Sequence, residues 1–249
     1  MLEVRDVSKY FGEGHARVTA LDSVSLNVQS HEFCVIMGPS GSGKTTLLNI
    51  IGGLDQPSSG QVLLNTNRID DLVEDRLVDI RRRQLAYVFQ QYHLLGSLNA
   101  LENVMLPLVY GGIRSAAAES MAMLKKVGLA DRFNHKPVQL SGGEQQRVAI
   151  ARALVTLPEI ILADEPTGNM DRQTGRDILE LFFELNRSGV GIIMVTHDPE
   201  IGKLASRKVE MQDGRIIDAG IRLDHAPGGN HAEAEIKLEN TVRTEKRRT

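Results

Sequence analysis

A glycine-rich loop between a short apolar run and a helical pattern limits the folds that this chain can adopt. Residues 34–37 form an apolar run short enough for one buried strand, and a helical pattern begins at Thr45. The loop between them contains Gly38, Pro39, Ser40, Gly41, Ser42, Gly43 and Lys44. A strand, a tight turn and a helix in this order are typical of an α/β fold.

The spacing Gly-x-x-x-x-Gly-Lys-Thr over residues 38–45 predicts that this loop binds phosphate. Glycines at 38, 41 and 43 let the backbone fold around an anion with its N–H groups inward, and the helix N-terminus adds a partial positive charge. Lys44 can reach the β- and γ-phosphates, and the Thr45 hydroxyl is the expected Mg²⁺ ligand. The alternative is a Gly/Ser linker that matches by chance. The strand before the loop and the helix after it disfavour that alternative.

Composition sets the class of protein. The chain has 249 residues, of which 41% are hydrophobic and 24% charged, so it can bury a substantial core. Its formal net charge of -3 gives no electrostatic support for nucleic-acid binding, and we expect no nucleic-acid partner. No apolar run approaches the ~18 residues of a membrane helix, and residues 1–6 lack a signal-peptide core. We therefore expect folding in the cytosol. The single cysteine, Cys34, is expected to be a buried apolar residue.

Strand and helix patterns appear along the rest of the chain. Residues 2–7 and 24–28 alternate apolar and polar, which predicts strands of an antiparallel sheet. Residues 72–83 indicate a charged helix, and residues 85–89 a buried strand that ends at Gln90. A polar amide at the end of such a strand suits a ligand site, although a surface glutamine is the simpler interpretation. The pair Asp213-Gly214 predicts a hairpin turn.

An aromatic residue precedes the first glycine-rich turn. Phe11 follows Tyr10 and lies before Gly12-Glu13-Gly14. Such a ring can stack on a nucleobase, or it can pack against its own turn. The local sequence leaves both interpretations open.

A helical region extends from about residue 98 to residue 157, with breaks predicted at Pro107, Gly111-Gly112, Gly128 and Pro137. It ends in the hexapeptide Leu-Ser-Gly-Gly-Glu-Gln at residues 140–145, where a Ser-Gly-Gly turn opens a long helix. That turn offers a second anion site at a helix N-terminus. It is also consistent with an ordinary serine cap that forms a capping box with Glu144.

Two carboxylates and a histidine follow buried strands. Asp164 and Glu165 come directly after the apolar run 160–163, and His197 follows the run 191–196. One carboxylate can bind the coordination shell of a Mg²⁺ ion while the other polarises a water molecule. The alternative interpretation of the two carboxylates is a helix N-cap pair, and that of His197 is the first residue of the next helix.

Taken in order, these motifs resemble the ATP-binding cassette ATPases over about residues 1–220. The order is the phosphate loop, Gln90, the hexapeptide at 140–145, Asp164-Glu165, Gly168-Asn169-Met170-Asp171 and His197. Met170 departs from the usual leucine, a change of similar volume. Residues 52–55, 100–104 and 168–171 are most similar to the macrolide-exporter and lipoprotein-release ATPases, a subgroup that includes a cell-division ATPase.

The resemblance implies a role for each matched residue. Gln90 would contact Mg²⁺ and the attacking water, Asp164 would hold Mg²⁺ through its shell with Thr45, and Glu165 would be the general base. His197 would contact the γ-phosphate, Phe11 would stack on adenine with Tyr10 as a rival, and Asp171 would lie at a dimer interface. ATP would contact the residues of the loop and, from the other subunit, those of the hexapeptide: Gly38, Pro39, Ser40, Gly41, Ser42, Gly43, Lys44, Thr45 and Thr46, and Ser141, Gly142, Gly143 and Gln145.

The resemblance also implies the architecture. We expect an α/β P-loop NTPase with a RecA-like parallel sheet core, an N-terminal antiparallel β subdomain and an inserted helical subdomain at about residues 93–157. This ATPase domain would span residues 1–220. Residues 221–249 are charged and lack a core pattern, which predicts a flexible tail with one short helix at about 232–238.

The implied function is an ATP-binding and hydrolysing subunit with Mg²⁺ as cofactor. Two copies would close head to tail over two ATP molecules and drive a separate integral membrane permease from the cytoplasmic face of the inner membrane. One alternative is a regulatory ATPase that signals through a transporter-like membrane partner. A soluble cassette acting on DNA or ribosomes fits less well, because such relatives carry two cassettes, long insertions or zinc cysteines.

Overall fold

A parallel-rich sheet forms the centre of the molecule. The structure is a computed structural model, which describes residues 1–220. The strands of this sheet are β3 (Phe33–Met37), β6 (Leu85–Val88), β7 (Ile160–Asp164), β8 (Gly191–Val195), β9 (Arg207–Gln212) and β10 (Arg215–Asp218). Their order is β10-β9-β3-β8-β7-β6, and only the β9–β10 pair is antiparallel. The apolar runs that predicted buried strands are confirmed as members of this sheet.

A second sheet contains the alternating segments of the N-terminal region. Its strands are β1 (Leu2–Phe11), β2 (Val18–Val28), β4 (Ser59–Leu64) and β5 (Asn67–Arg68), in the order β2-β1-β4-β5. All three pairs are antiparallel. The predicted antiparallel sheet is confirmed, and its strands extend beyond the predicted segments.

Seven helices surround the two sheets in the described part of the chain. They are α1 (Lys44–Ile51), α2 (Glu74–Arg83), α3 (Ala100–Tyr110), α4 (Ala116–Lys126), α5 (Gly142–Leu154), α6 (Arg172–Arg187) and α7 (Pro199–Leu204). Helices α3, α4 and α5 lie between β6 and β7 in the chain and pack on one another. The domain boundaries stay a prediction, and the predicted tail at 221–249 lies outside the described residues.

The central sheet separates two apolar cores because successive side chains of a strand point to opposite faces. Val35 of β3 and Ile192 of β8 belong to the core that contains the buried faces of α3, α4, α5 and α6. Ile36 and Ile193, one residue further along, belong to the core shared with α1 and the antiparallel sheet. Burial on both faces explains why β3 and β8 are continuously apolar.

The prediction of a helix break at Pro107 is wrong, because α3 continues through this residue to Tyr110. A proline inside a helix lacks the N–H for the i−4 hydrogen bond and costs about 3 kcal/mol. Val104 and Leu108, on either side of it, are buried. Burying two such side chains contributes about 3 to 6 kcal/mol, which offsets that cost.

Glycine and proline signals elsewhere gave correct boundaries. Helix α3 is followed by Gly111-Gly112, α4 is followed by Gly128, and a short 3-10 helix begins at Pro137. The hairpin between β9 and β10 is confirmed, with φ of 48° at Asp213 and 77° at Gly214, the two positive values that such a turn requires.

The parallel strands bring several loops to one edge of the central sheet. The carboxyl ends of β3, β6, β7 and β8 meet there, and β3 lies between β8 and β9. Open α/β sheets bind ligands outside the carboxyl ends of their strands, so the loops that follow these four strands define the candidate site.

Candidate functional site

The glycine-rich loop connects β3 to α1 and lies against neighbouring backbone. Gly43 caps α1 with φ of 96°, a left-handed conformation that favours glycine. A Cβ at Gly43 would collide with the carbonyl of Ala20, and one at Gly38 would collide with the carbonyl of Met211. These two glycines therefore hold the loop against β2 and β9.

Lys44 places its amine inside the loop. Its side chain is buried, with 7% relative exposure, and Nζ donates to the carbonyl oxygens of Gly38 and Pro39, each at 2.8 Å. Ser40 and Gly41, at the tip of the loop, are exposed. The first N–H groups of α1, including that of Thr46, lie at a helix start, where no intrahelical acceptor exists. The loop thus combines a fixed cation with a helix N-terminus, which is the chemistry of a phosphate site.

Thr45 and Asp164 are joined across the loop and the end of β7. The Thr45 hydroxyl donates to Oδ1 of Asp164 at 3.2 Å. Burial raises the pKa of the Asp164 carboxyl, and the neighbouring charge of Glu165 raises it further. A hydroxyl and a carboxylate are the hard oxygen donors that Mg²⁺ prefers, so these two side chains fit the ion that the sequence predicts.

Glu165 lies beside Asp164 and contacts His197. Nδ1 of His197, which follows β8, lies 3.1 Å from Oε2 of Glu165. An ionised carboxylate only accepts hydrogen bonds, so His197 is the donor of this pair when Glu165 is charged. Glu165 has φ of 44°, a left-handed conformation that is uncommon for residues other than glycine. Such conformations cluster at functional sites, where the surroundings hold them in place.

Gln90 faces the same carboxylate across Gly168. A Cβ built on Gly168 would lie 3.2 Å from Oε2 of Glu165 and 3.3 Å from Nε2 of Gln90. Gln90 follows β6 and is exposed. The structure thus brings together the loop, Gln90, Asp164, Glu165 and His197 at one edge of the sheet.

The Ser-Gly-Gly turn forms contacts of its own. Ser141 caps α5 in a capping box, where its hydroxyl accepts from the N–H of Glu144 and the Glu144 carboxylate accepts from the N–H of Ser141. A Cβ on Gly142 would meet the Tyr92 hydroxyl, and one on Gly143 would collide with the methyl of Thr174. Both sequence interpretations remain compatible with this geometry, because a capped N-terminus still presents its first N–H groups.

Gln145 of the hexapeptide and Asp171 also have hydrogen-bond partners within the chain. Nε2 of Gln145 donates to the Leu140 carbonyl at 3.1 Å. Asp171 caps α6, where it accepts from the N–H groups of Gln173 and Thr174 and from the Thr174 hydroxyl. The bond from that hydroxyl is the main cause that lowers the pKa of Asp171. No hydrogen bond or ion pair within residues 1–220 links Ser141 or Asp171 to the glycine-rich loop.

The two candidate aromatic residues differ in their surroundings. The guanidinium of Arg17 lies 3.6 Å from the ring centre of Tyr10. Phe11 is 46% exposed, and Nζ of Lys9 lies 5.0 Å from its ring centre. Phe11 therefore presents more free ring surface than Tyr10.

One polar residue near this edge was not predicted. Gln146 of α5 is completely buried, and its Nε2 donates to the Pro166 carbonyl at 2.9 Å, directly after Glu165. Its position could have been found from the helical spacing, because Gly143, Gln146 and Ile150 fall on one buried face of α5. A glutamine on an otherwise apolar helix face indicates a buried hydrogen bond.

This geometry defines an α/β protein of the phosphate-loop type, and comparison with known proteins identifies its family. The family model described as ABC transporter matches residues 21–168. The uncharacterized ABC transporter ATP-binding protein YvrO of Bacillus subtilis (strain 168) is 48% identical over 219 residues, which are 87% of this chain and 96% of that protein. The macrolide export ATP-binding/permease protein MacB of Hyphomonas neptunium is 47% identical over 223 residues.

A solved structure of an ATP-binding cassette is also similar to this chain. It is described as the dimeric structure of a post-hydrolysis state of the ATP-binding cassette MJ0796 bound to ADP and Pi. It matches with a TM-score of 0.83 and 43% identity, and the alignment covers 91% of this chain and 100% of that one.

The chain therefore belongs to the ABC transporter family and is an ATPase cassette of that family. The predicted P-loop NTPase fold is confirmed, as is the similarity to macrolide-exporter ATPases. The match covers 88% of this chain but only 35% of the MacB protein from Hyphomonas neptunium, so the chain spans about a third of such relatives. Within residues 1–220, no helix has the length and apolar character needed to cross a bilayer.

Proposed function

We propose that this cassette binds ATP with Mg²⁺ at the glycine-rich loop, hydrolyses it, and uses the cycle to drive an integral membrane permease of the macrolide-exporter type. One observation carries the proposal: at the edge of the sheet beside the loop, Thr45 contacts Asp164 and His197 contacts Glu165. These pairs provide ion-binding oxygens and a positioned base close to where a γ-phosphate would lie.

In this mechanism each side chain has a distinct task. The loop and Lys44 bind the phosphates, while Thr45, Asp164 and Gln90 would hold Mg²⁺, which neutralises charge on the phosphates when it is bound. Glu165 accepts a proton from a water that attacks the γ-phosphorus. The bond from that phosphorus to the β-phosphate oxygen breaks, which yields ADP and inorganic phosphate. His197 holds the Glu165 carboxylate and reaches toward the γ-phosphate, and Phe11 stacks on adenine.

A second copy of the chain completes the site. Within residues 1–220, no hydrogen bond joins Ser141, Gly142, Gly143 or Gln145 to the glycine-rich loop of the same chain. We propose that they bind the γ-phosphate of ATP held by a facing copy, with Asp171 at the interface between the two copies. The MJ0796 cassettes are described as dimeric, which supports the pairing of two copies.

The permease partner is proposed from relatives. MacB proteins are described as combined ATP-binding/permease proteins, whereas YvrO, which this chain nearly spans, is described as an ATP-binding protein. We propose that the cassette acts at the cytoplasmic face of the inner membrane through its permease. A regulatory role through a transporter-like partner is the alternative outcome of the test.

The experiment measures Mg²⁺-dependent ATP hydrolysis by the purified chain and by the Glu165→Gln variant. A tagged chain is then purified from detergent-solubilised membranes to identify its partner. Hydrolysis that depends on Glu165, together with an integral membrane protein in the purified complex, supports the proposal. Hydrolysis without any membrane partner would contradict the permease part. Efflux by the complex distinguishes transport from regulation.

A further inference from the structure

Gln146 is the only side chain with a described hydrogen bond from α5 to the segment that follows β7. Its relative exposure is 0%, and the Pro166 residue whose carbonyl it contacts is also buried. The other amide atom, Oε1, is buried and has no hydrogen-bond partner within residues 1–220. The side chain thus makes one bond and leaves one acceptor unsatisfied.

This imbalance argues against a role in stability alone. A buried polar atom without a partner opposes folding. An apolar side chain of the same size would remove that cost, but it would leave the Pro166 carbonyl without its donor. What the amide provides, and an apolar side chain cannot, is the N–H that holds the Pro166 carbonyl. The contribution of Gln146 is therefore to be sought in the position of Pro166 and its neighbour Glu165.

The segment around Glu165 depends on such contacts. The backbone of Glu165 is left-handed, and its N–H donates to the Val195 carbonyl at 2.9 Å. The N–H of Gly168 donates back to the Glu165 carbonyl at 3.1 Å. A strained conformation persists only where the surroundings fix it, and the bond from Gln146 fixes the residue between these two contacts.

Helix α5 is well suited to hold this segment. It begins at the Ser141 cap, and near its other end the guanidinium of Arg152 donates to the carbonyls of Tyr92 and His93, shortly after Gln90. The helix is thereby bonded both to the segment of Glu165 and to the segment of Gln90. Movement of its N-terminus would be transmitted to both.

We propose that Gln146 is a positioning residue, which holds the Glu165 carboxylate in its working place by bonding the Pro166 carbonyl and couples it to the Ser-Gly-Gly turn of the same helix. The inference rests on the proposed role of Glu165 as general base. Loss of the amide should lower kcat and kcat/KM together and leave ATP binding unchanged. The displaced Glu165 carboxylate acts in the transition state and not in the binding of ATP.

The test is the Gln146→Met substitution in the full chain, which keeps the length of the side chain and removes the amide. We expect kcat to fall about ten- to a hundredfold, as small misplacements of a catalytic group do, with KM for ATP changed by less than about twofold. The melting temperature should change little, because the variant removes the unsatisfied Oε1 but leaves the Pro166 carbonyl without its donor. Amide hydrogen exchange of residues 164–171 should become faster without nucleotide.

Ser120→Ala is the matched control. Ser120 of α4 is also completely buried with an unsatisfied Oγ, and it lies outside the site. Its removal should leave kcat and exchange at 164–171 unchanged. Gln146→Leu provides a second apolar shape in case methionine packs poorly.

Two outcomes would overturn the proposal: wild-type kcat and exchange in both Gln146 variants, or a fall in melting temperature that accounts for the lost activity. Failure of the proposed function has a different signature, because the wild-type chain would then lack hydrolysis that depends on Glu165. Hydrogen exchange would in that case still show whether Gln146 holds residues 164–171.

Discussion

The edge of the central sheet beside the glycine-rich loop (the loop edge) and the Ser-Gly-Gly turn each contain a helix N-terminus, but they differ in what surrounds it. At the loop edge, side chains near the carboxyl ends of β3, β7 and β8 contact one another. Thr45 donates a hydrogen bond to Asp164, and His197 contacts Glu165. At the turn, Ser141 is bonded to Glu144, whose carboxylate contacts Arg132. The first region is thus assembled within one chain. The second is a capped helix end, and within residues 1–220 no hydrogen bond joins Ser141 to the glycine-rich loop, although Gln146 further along the same helix contacts the carbonyl that follows Glu165.

This difference separates two kinds of function. The assembled cluster contains the groups that bind phosphate and position a base, whereas the capped N-terminus can only add N–H groups to a ligand that another copy holds. We therefore assign the chemistry to the loop edge, and the completion of a neighbouring copy's site to the turn.

Glu165→Gln should break the loop edge most severely. The change keeps the shape of the side chain but removes the base, and a positioned base contributes a factor of about 10² to 10⁴. Steady-state hydrolysis should fall at least ~100-fold, while binding of ATP, followed by fluorescence of a labelled analogue, is retained. The variant should accumulate as an ATP-bound dimer in size-exclusion chromatography. Turnover near that of the wild type would remove Glu165 from its role.

Substitutions at Ser141 separate capping from ligand binding. Aspartate caps a helix as well as serine does, so Ser141→Asp should keep the free energy of unfolding within about 0.5 kcal/mol, whereas Ser141→Ala should lose about 1 kcal/mol. Because aspartate also places a negative charge against the expected γ-phosphate, ATPase activity should fall at least ~10-fold. Full activity of Ser141→Asp would mean that the turn is only a cap.

Asp164→Asn should have a small effect on stability, and the sign of that effect is informative. Burial raises the folded-state pKa of Asp164 above its unfolded value, so its ionised form opposes folding at neutral pH. The neutral amide should raise the melting temperature without nucleotide by about 2 °C, for a gain of about 0.5 to 1 kcal/mol. Mg²⁺-dependent hydrolysis should fall as well, because the neutral amide binds the ion less strongly than the carboxylate does.

The same variant gives a pH test. As pH falls through the folded-state pKa, the wild-type carboxyl becomes protonated and no longer opposes folding. The difference in melting temperature between the two proteins should therefore be largest at neutral pH and disappear under acidic conditions. A difference that grows on acidification would contradict the assigned cause.

Local sequence signals account for most of the loop edge. Gly38, Gly43 and the apolar runs fix the strand, turn and helix by backbone and periodicity alone, and Asp213-Gly214 fixes its hairpin. Pro107 was misjudged because tertiary burial outweighed a local cost. Gln146 was not identified because its bond to Pro166 spans 20 residues and depends on how α5 packs.

The most direct measurement of the division between the two regions is complementation between two inactive chains. Lys44→Ala damages the loop of one chain, and Ser141→Arg blocks the turn of the other. If the turn of one copy serves the loop of the next, a mixed dimer contains one site with both halves intact. Confirmed mixed dimers should then hydrolyse ATP faster than either parent. Mixed dimers, verified by crosslinking, that stay as inactive as both parents would contradict this account.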